Sequence, residues 1–186
     1  TGQTFVSPVP VLFVNELHYD NAGGDTGEGV EVAGTAGLDL SAYKIVFYNG
    51  SNSEFYNTVN LSGTLPDQDN GFGTAFFPIA GLQNGAPDGV ALATTEDTLI
   101  QFLSYEGSFT AIGGVADGVT SEDIGVAETS STSVGFSLQL TGEGTAYADF
   151  TWSGPIANTY DLINTGQSFG GGNNGGGGDT TGTGGV

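Results

Sequence analysis

Twenty-one aspartates and glutamates stand against a single lysine, Lys44, and no arginine in this 186-residue chain, leaving a formal charge of −20. Such a field repels phosphate backbones, whose binding depends on neutralisation by Lys and Arg, and so disfavours direct nucleic-acid binding. Cysteine is absent, which excludes disulfides and thiol nucleophiles, and no apolar run approaches the roughly 20 residues of a membrane helix, so no membrane insertion is expected.

Taken in chain order, Thr1–Pro10 is polar and proline-punctuated and reads as an extended leader. Opening on Thr1 rather than methionine suggests the processed form of an exported precursor, its signal peptide removed, and hence a secreted protein. Strands are predicted at Val11–Leu17 and Gly29–Ala33, where apolar residues alternate, and at Tyr43–Tyr48, which ends on the Asn49-Gly50 turn signal. Further strands are expected at Phe55–Leu61, Thr74–Ile79, Gly89–Thr94, Thr98–Tyr105, Gly135–Leu140 and Asp149–Trp152. Between them, Gly, Asn, Asp and Pro set the turns. Gly107–Ser133 is long, polar and weakly patterned, a functional loop or irregular structure. The tail Gly170–Val186 has ten glycines in 17 residues and reads as a disordered or extended linker.

No stretch keeps helical periodicity beyond two turns. Seven to nine short strands with turn signals point to an all-β, immunoglobulin-like two-sheet β-sandwich. Three segments follow: the leader 1–10, the sandwich body 11–169 and the tail 170–186. With 11 Phe and 7 Tyr, the body has the apolar volume for one core.

Six motifs stand in a distinctive order. They are NELHYDNAGGD at Asn15–Asp25, EGVEV at Glu28–Val32, LDLSAY at Leu38–Tyr43, LQNGAPDGVAL at Leu82–Leu92, IQFLSYEGSF at Ile100–Phe109 and NTGQ at Asn164–Gln167. Together they resemble the lamin-tail domain family in its bacterial branch, over Val11–Phe169. The resemblance implies an immunoglobulin-like sandwich that serves attachment or interaction. It implies as well a place ahead of a secreted endonuclease, exonuclease or phosphatase domain. Gly29 stands where many members carry an aromatic residue, a departure that predicts a weakened or bulged second strand.

Hydrolytic chemistry has little to work with. His18 is the only histidine, no Gly-x-Ser-x-Gly elbow presents a serine, and alternation along the first strand places His18 at its exposed end. Cleavage of phosphodiesters recruits cations that this chain lacks. No catalytic residue is assigned and the chain is not expected to be an enzyme, although glutamates could pair by accident as in glycosidases.

The acidity suits calcium, which takes six to eight oxygens in flexible geometry. The first candidate is the loop carrying Asp20, Asn21, Asp25 and Glu28; its spacing does not match an EF-hand. The weaker candidate gathers Glu106, Asp117, Glu122 and Asp123, in or beside the long loop. In both, solvated acidic coil is the competing reading. Trp152 is expected in the core, Asp88 at a turn, and Lys44 beside Glu16 or Glu31, which need partners within apolar strands. A protein or a cell-surface or matrix component is the expected partner. Self-association into a fibre is the other reading, since sandwich edges accept strands and Thr1–Pro10 could be donated.

Overall fold

Alternating apolar and β-branched residues do form strands throughout the computed structural model, which describes residues 10–170. Apart from Gly170 the tail, and apart from Pro10 the leader, lie outside the described residues. The strands are β1 Leu12–His18, β2 Gly29–Thr35, β3 Tyr43–Asn49, β4 Glu54–Asn60, β5 Phe72–Pro78 and β6 Asp88–Thr94. They continue with β7 Leu99–Tyr105, β8 Glu122–Asp123, β9 Phe136–Gly144, β10 Phe150–Ala157 and β11 Gln167–Phe169. All nine expected strands are present, most with ends moved by one or two residues. The two without a counterpart in the pattern, β8 and β11, are two and three residues long, too short to show a period.

They build two sheets. The first runs β10-β9-β1-β2-β5, with β11 added parallel to β9; the second runs β4-β3-β6-β7-β8. The fold is all-β, and its two sheets pack as a sandwich. Val14, Leu17 and Trp152 from the first sheet meet Val90 and Leu103 from the second. Trp152 takes its expected place in this core and donates its indole N–H to Tyr147 Oη at 3.0 Å.

Strict alternation would put Val14 and Leu17 on opposite faces. A bulge between Val14 and Glu16 inserts one residue and turns both inward. The irregularity thus lies in β1, whereas Gly29 pairs in register with His18 on one side and Pro78 on the other. Glycine is required there by crowding: a Cβ would come 2.4 Å from the Phe77 carbonyl and 2.5 Å from the Phe76 ring. Gly29→Ala is expected to cost about 1–3 kcal/mol of stability, read from the urea midpoint.

Lys44 does not reach Glu16 or Glu31. It lies on β3, in the other sheet, and its Nζ pairs with Asp97 Oδ1. Asp88 is no turn residue: it is 2% exposed, opens β6, and accepts the Gly50 N–H at 3.1 Å. Burial pushes its carboxyl up to about 6.

All seven residues of β1 are buried, including the polar ones on the face turned away from the core. The segment 158–166, between β10 and β11, lies over that face. Its Asp161 also accepts the Phe76 N–H at 2.8 Å, capping the outer edge of β5 where a strand from elsewhere could pair.

Candidate functional site

His18, expected at an exposed strand end, is 1% exposed. Its Nδ1 lies 2.8 Å from Glu128 Oε1, and its Nε2 is 3.1 Å from both Asn21 Oδ1 and the Thr26 carbonyl. The Asn21 amide cannot turn, because its Nδ2 donates to the carbonyls of Ala22 and Gly24. Both ring nitrogens therefore face oxygens, an arrangement that suits the imidazolium. Burial opposes that charge, but the Glu128 carboxylate and the oxygens at Nε2 outweigh it and hold the pKa above its usual value. Glu128 also accepts the backbone N–H groups of Tyr19 at 2.7 Å and Asp20 at 3.0 Å. The histidine is thus enclosed in a buried ion pair that anchors the long loop to β1, out of reach of a substrate.

The first acidic loop is partly gathered. Burial, and after it the nearby Asp25 charge, raises the Asp20 pKa. Asn21 closes the loop by accepting the Thr26 N–H at 3.0 Å and giving its own N–H to Asp25. Glu28 turns aside: one oxygen accepts the Gly81 N–H at 2.8 Å, while the other is buried without a partner. Among the described residues, no three His, Cys, Asp or Glu side chains converge to hold a metal ion, so a calcium ion here would need amide and carbonyl oxygens as well.

The second acidic set is occupied separately. Glu106 accepts from Tyr19 Oη at 3.0 Å, Asp117 from the Gly113 N–H at 2.7 Å, and Asp123 from the Gly125 N–H at 3.0 Å. Glu122 meets Tyr147 Oη at 3.4 Å. All four meet local turns or ring hydroxyls, and Glu122 also lies on the rim of a cleft.

That cleft is a concavity of about 870 Å³ between the sheets. β9 accompanies β1 only at Glu16 and Leu17, so among the described residues no strand lies along that side of Leu12–Val14. The Val14 N–H is met instead by Gln101 Oε1 at 2.9 Å. On the opposite wall, β8 pairs with β7 only at Leu103 and Ser104. Two half-edges with ladder capacity therefore border a trough lined by Leu12, Phe13, Leu99, Ile100, Val119 and Tyr147. Ile100 and Val119 are 41% and 39% exposed. Such a trough offers backbone pairing and apolar pockets to an extended chain.

Comparison with family models, curated proteins and solved structures finds no match to this chain. Sequence reasoning missed Glu128 and the cleft. Glu128 lies in a weakly patterned loop with no cue to its partner, and the cleft follows from where strands stop pairing. A signal for Gln101 existed: it is the one polar residue in the apolar run Leu99–Leu103.

Proposed function

We propose that this chain is a non-catalytic, secreted interaction module. Its two-sheet sandwich is read as immunoglobulin-like and related to the lamin-tail domains of secreted nucleases and phosphatases. The observation that carries this reading is the apolar cleft between the unpaired half-edges of β1 and β7. The cleft suits an extended protein segment that is not acidic, because an acidic one would meet a chain of charge −20. The enclosure of His18 with Glu128 supports the absence of hydrolytic chemistry. The test is binding of a labelled peptide with the sequence of Thr1–Pro10, an extended segment without charged side chains. Fluorescence anisotropy is expected to show saturable binding that Ile100→Glu weakens at least tenfold, about 1.4 kcal/mol. Unchanged binding in that variant refutes the cleft. Phosphodiester hydrolysis abolished by His18→Ala refutes the non-catalytic reading.

A second reading is a subunit of an extracellular fibre assembled by strand exchange. It is favoured by the position of Pro10, which lines the cleft where the leader joins β1. In that case sedimentation of the chain shows concentration-dependent association that Ile100→Glu removes. A chain that stays monomeric at all concentrations leaves the accessory-module reading alone.

Calcium is proposed beside Asp20 and Asp25, where a cation would offset the repulsion between the two carboxylates. Excess calcium is expected to raise the melting temperature by a few degrees, as binding to the folded state alone does, and Asp25→Asn to abolish the rise. A rise that persists in Asp25→Asn places the ion elsewhere.

A further inference from the structure

The segment Asn158–Gly166 forms a strap over the outer face of the first sheet. It is pinned by the Thr159 N–H and hydroxyl on Glu16, at 3.1 and 3.0 Å, and by the Asp161 N–H on Glu31 Oε2 at 2.6 Å. Asn164 donates to the carbonyls of Asn15 and Leu140 at 3.1 and 3.0 Å. Tyr160 stacks on Phe76 with ring centroids 3.7 Å apart. Beneath lie Glu16 and Glu31, directly opposite one another on β1 and β2 and both fully buried.

This layer is short of protons. Thr159 Oγ1 is 3.0 Å from Glu16 Oε2, 3.1 Å from Gln139 Oε1 and 3.0 Å from Asn164 Oδ1. Three acceptor oxygens surround a hydroxyl that has one proton to give. Neither amide can be turned to supply another. Gln139 Nε2 donates to the Ala157 carbonyl at 2.8 Å and to Ser137 Oγ at 2.9 Å, and Asn164 Nδ2 is committed to its two carbonyls. The one remaining source is Glu16 itself. As a neutral acid, its Oε2 donates to Thr159, which passes its own proton to an amide oxygen. Glu16 Oε1 stays free to accept from Ser137 Oγ at 2.6 Å and from the Thr159 N–H.

We propose that Glu16 is the proton-operated latch of this strap: as a neutral acid it closes Asn158–Gly166 over the sheet, and its ionisation releases it. The groups around it offer an ionised Glu16 little compensation. β1 presents His18, whose charge is engaged by Glu128, and β2 presents Glu31. The strap presents Asp161 and Tyr160, β9 the neutral Ser137 and Gln139, and β11 the neutral Gln167. Lys44, the only lysine or arginine of the chain, is on the other sheet. An ionised Glu16 therefore sets a carboxylate against Glu31 and leaves two oxygen contacts at Thr159 without a proton. Release would also withdraw Asp161 from the Phe76 N–H, opening the edge of β5 to a pairing strand.

The test is backbone amide exchange at Thr159 and Asp161, corrected for the intrinsic base-catalysed rate. Wild-type protection is expected to fall about tenfold or more as pH rises from about 4, below the ordinary carboxylate value, to about 10, as it does when closing the strap strengthens proton binding by about the same factor. Glu16→Gln, which keeps a donor toward Thr159 without a titrating proton, is expected to hold its protection over the same range. Wild-type protection that is flat with pH, or an equal loss in Glu16→Gln, overturns the proposal. A measurement that needs no variant is the pH titration of the Glu16 carboxyl-carbon NMR frequency. A midpoint above the ordinary carboxylate range supports the latch, and one within or below it overturns it.

Discussion

Acidification from pH 9 to pH 5 should raise the melting temperature of this protein, by roughly 10 °C if the buried groups dominate. Burial pushes Glu31 up to about 9 and raises Glu16 and Asp20 as well; Asp88 is pushed up to about 6. A carboxyl raised in the folded state binds its proton more tightly there than in the unfolded chain. Its contribution is complete below the unfolded pKa and is lost as pH rises through the folded one. His18 is also raised and has the same sign, its contribution present below about 6.5 and lost above its folded value. Asp39 and Asp149 are lowered by backbone N–H groups. They act oppositely, but their contribution is lost only below about 3.8, outside this window. A tenfold difference in proton affinity between the folded and unfolded chain corresponds to about 1.4 kcal/mol. Because Glu16 and Glu31 titrate as a pair, their contributions do not simply add. Relief of the surface charge works in the same direction but is screened by salt, whereas the buried pair is not. The scan therefore belongs at high ionic strength. Glu16→Gln is expected to flatten the slope there, and a melting temperature that is flat or falls on acidification refutes the assignment.

The second large effect is expected at His18. His18→Gln leaves the Glu128 carboxylate buried without its cation, and losing one partner of a buried pair costs about 3–5 kcal/mol. Adding Glu128→Gln should recover part of that loss, because the orphaned charge is then gone. The remainder reflects the Tyr19 and Asp20 N–H groups that Glu128 also receives. Urea denaturation of the two single variants and the double variant measures the coupling. Additive losses would mean that the pair adds nothing beyond separate packing.

Both effects arise in the part of the molecule that is hardest to read from the chain. The strands of the body are legible, because alternation of apolar residues and the Gly, Asn and Asp turns between them are local signals. Asp20, Asn21 and Asp25 can be grouped for the same reason, since loop neighbours in sequence stay neighbours in space. Glu128 cannot: its partner His18 is 110 residues away, and nothing local marks a glutamate that will be buried. The exposed-end reading of His18 fails on the same ground, because alternation says which face a residue takes but not what covers that face.

Residue order alone carries the all-β class, the position of nine strands, the strongly acidic charge and the scarcity of cations. These depend on composition and on a period of two. Three-dimensional packing was needed for the bulge of β1 at Val14–Glu16, for the roof that Asn158–Gly166 makes over the outer face, and for the unpaired halves that β9 and β8 leave on β1 and β7. Those features depend on where strands end relative to one another and on contacts more than a hundred residues apart. The cleft and the buried acid layer both follow from them.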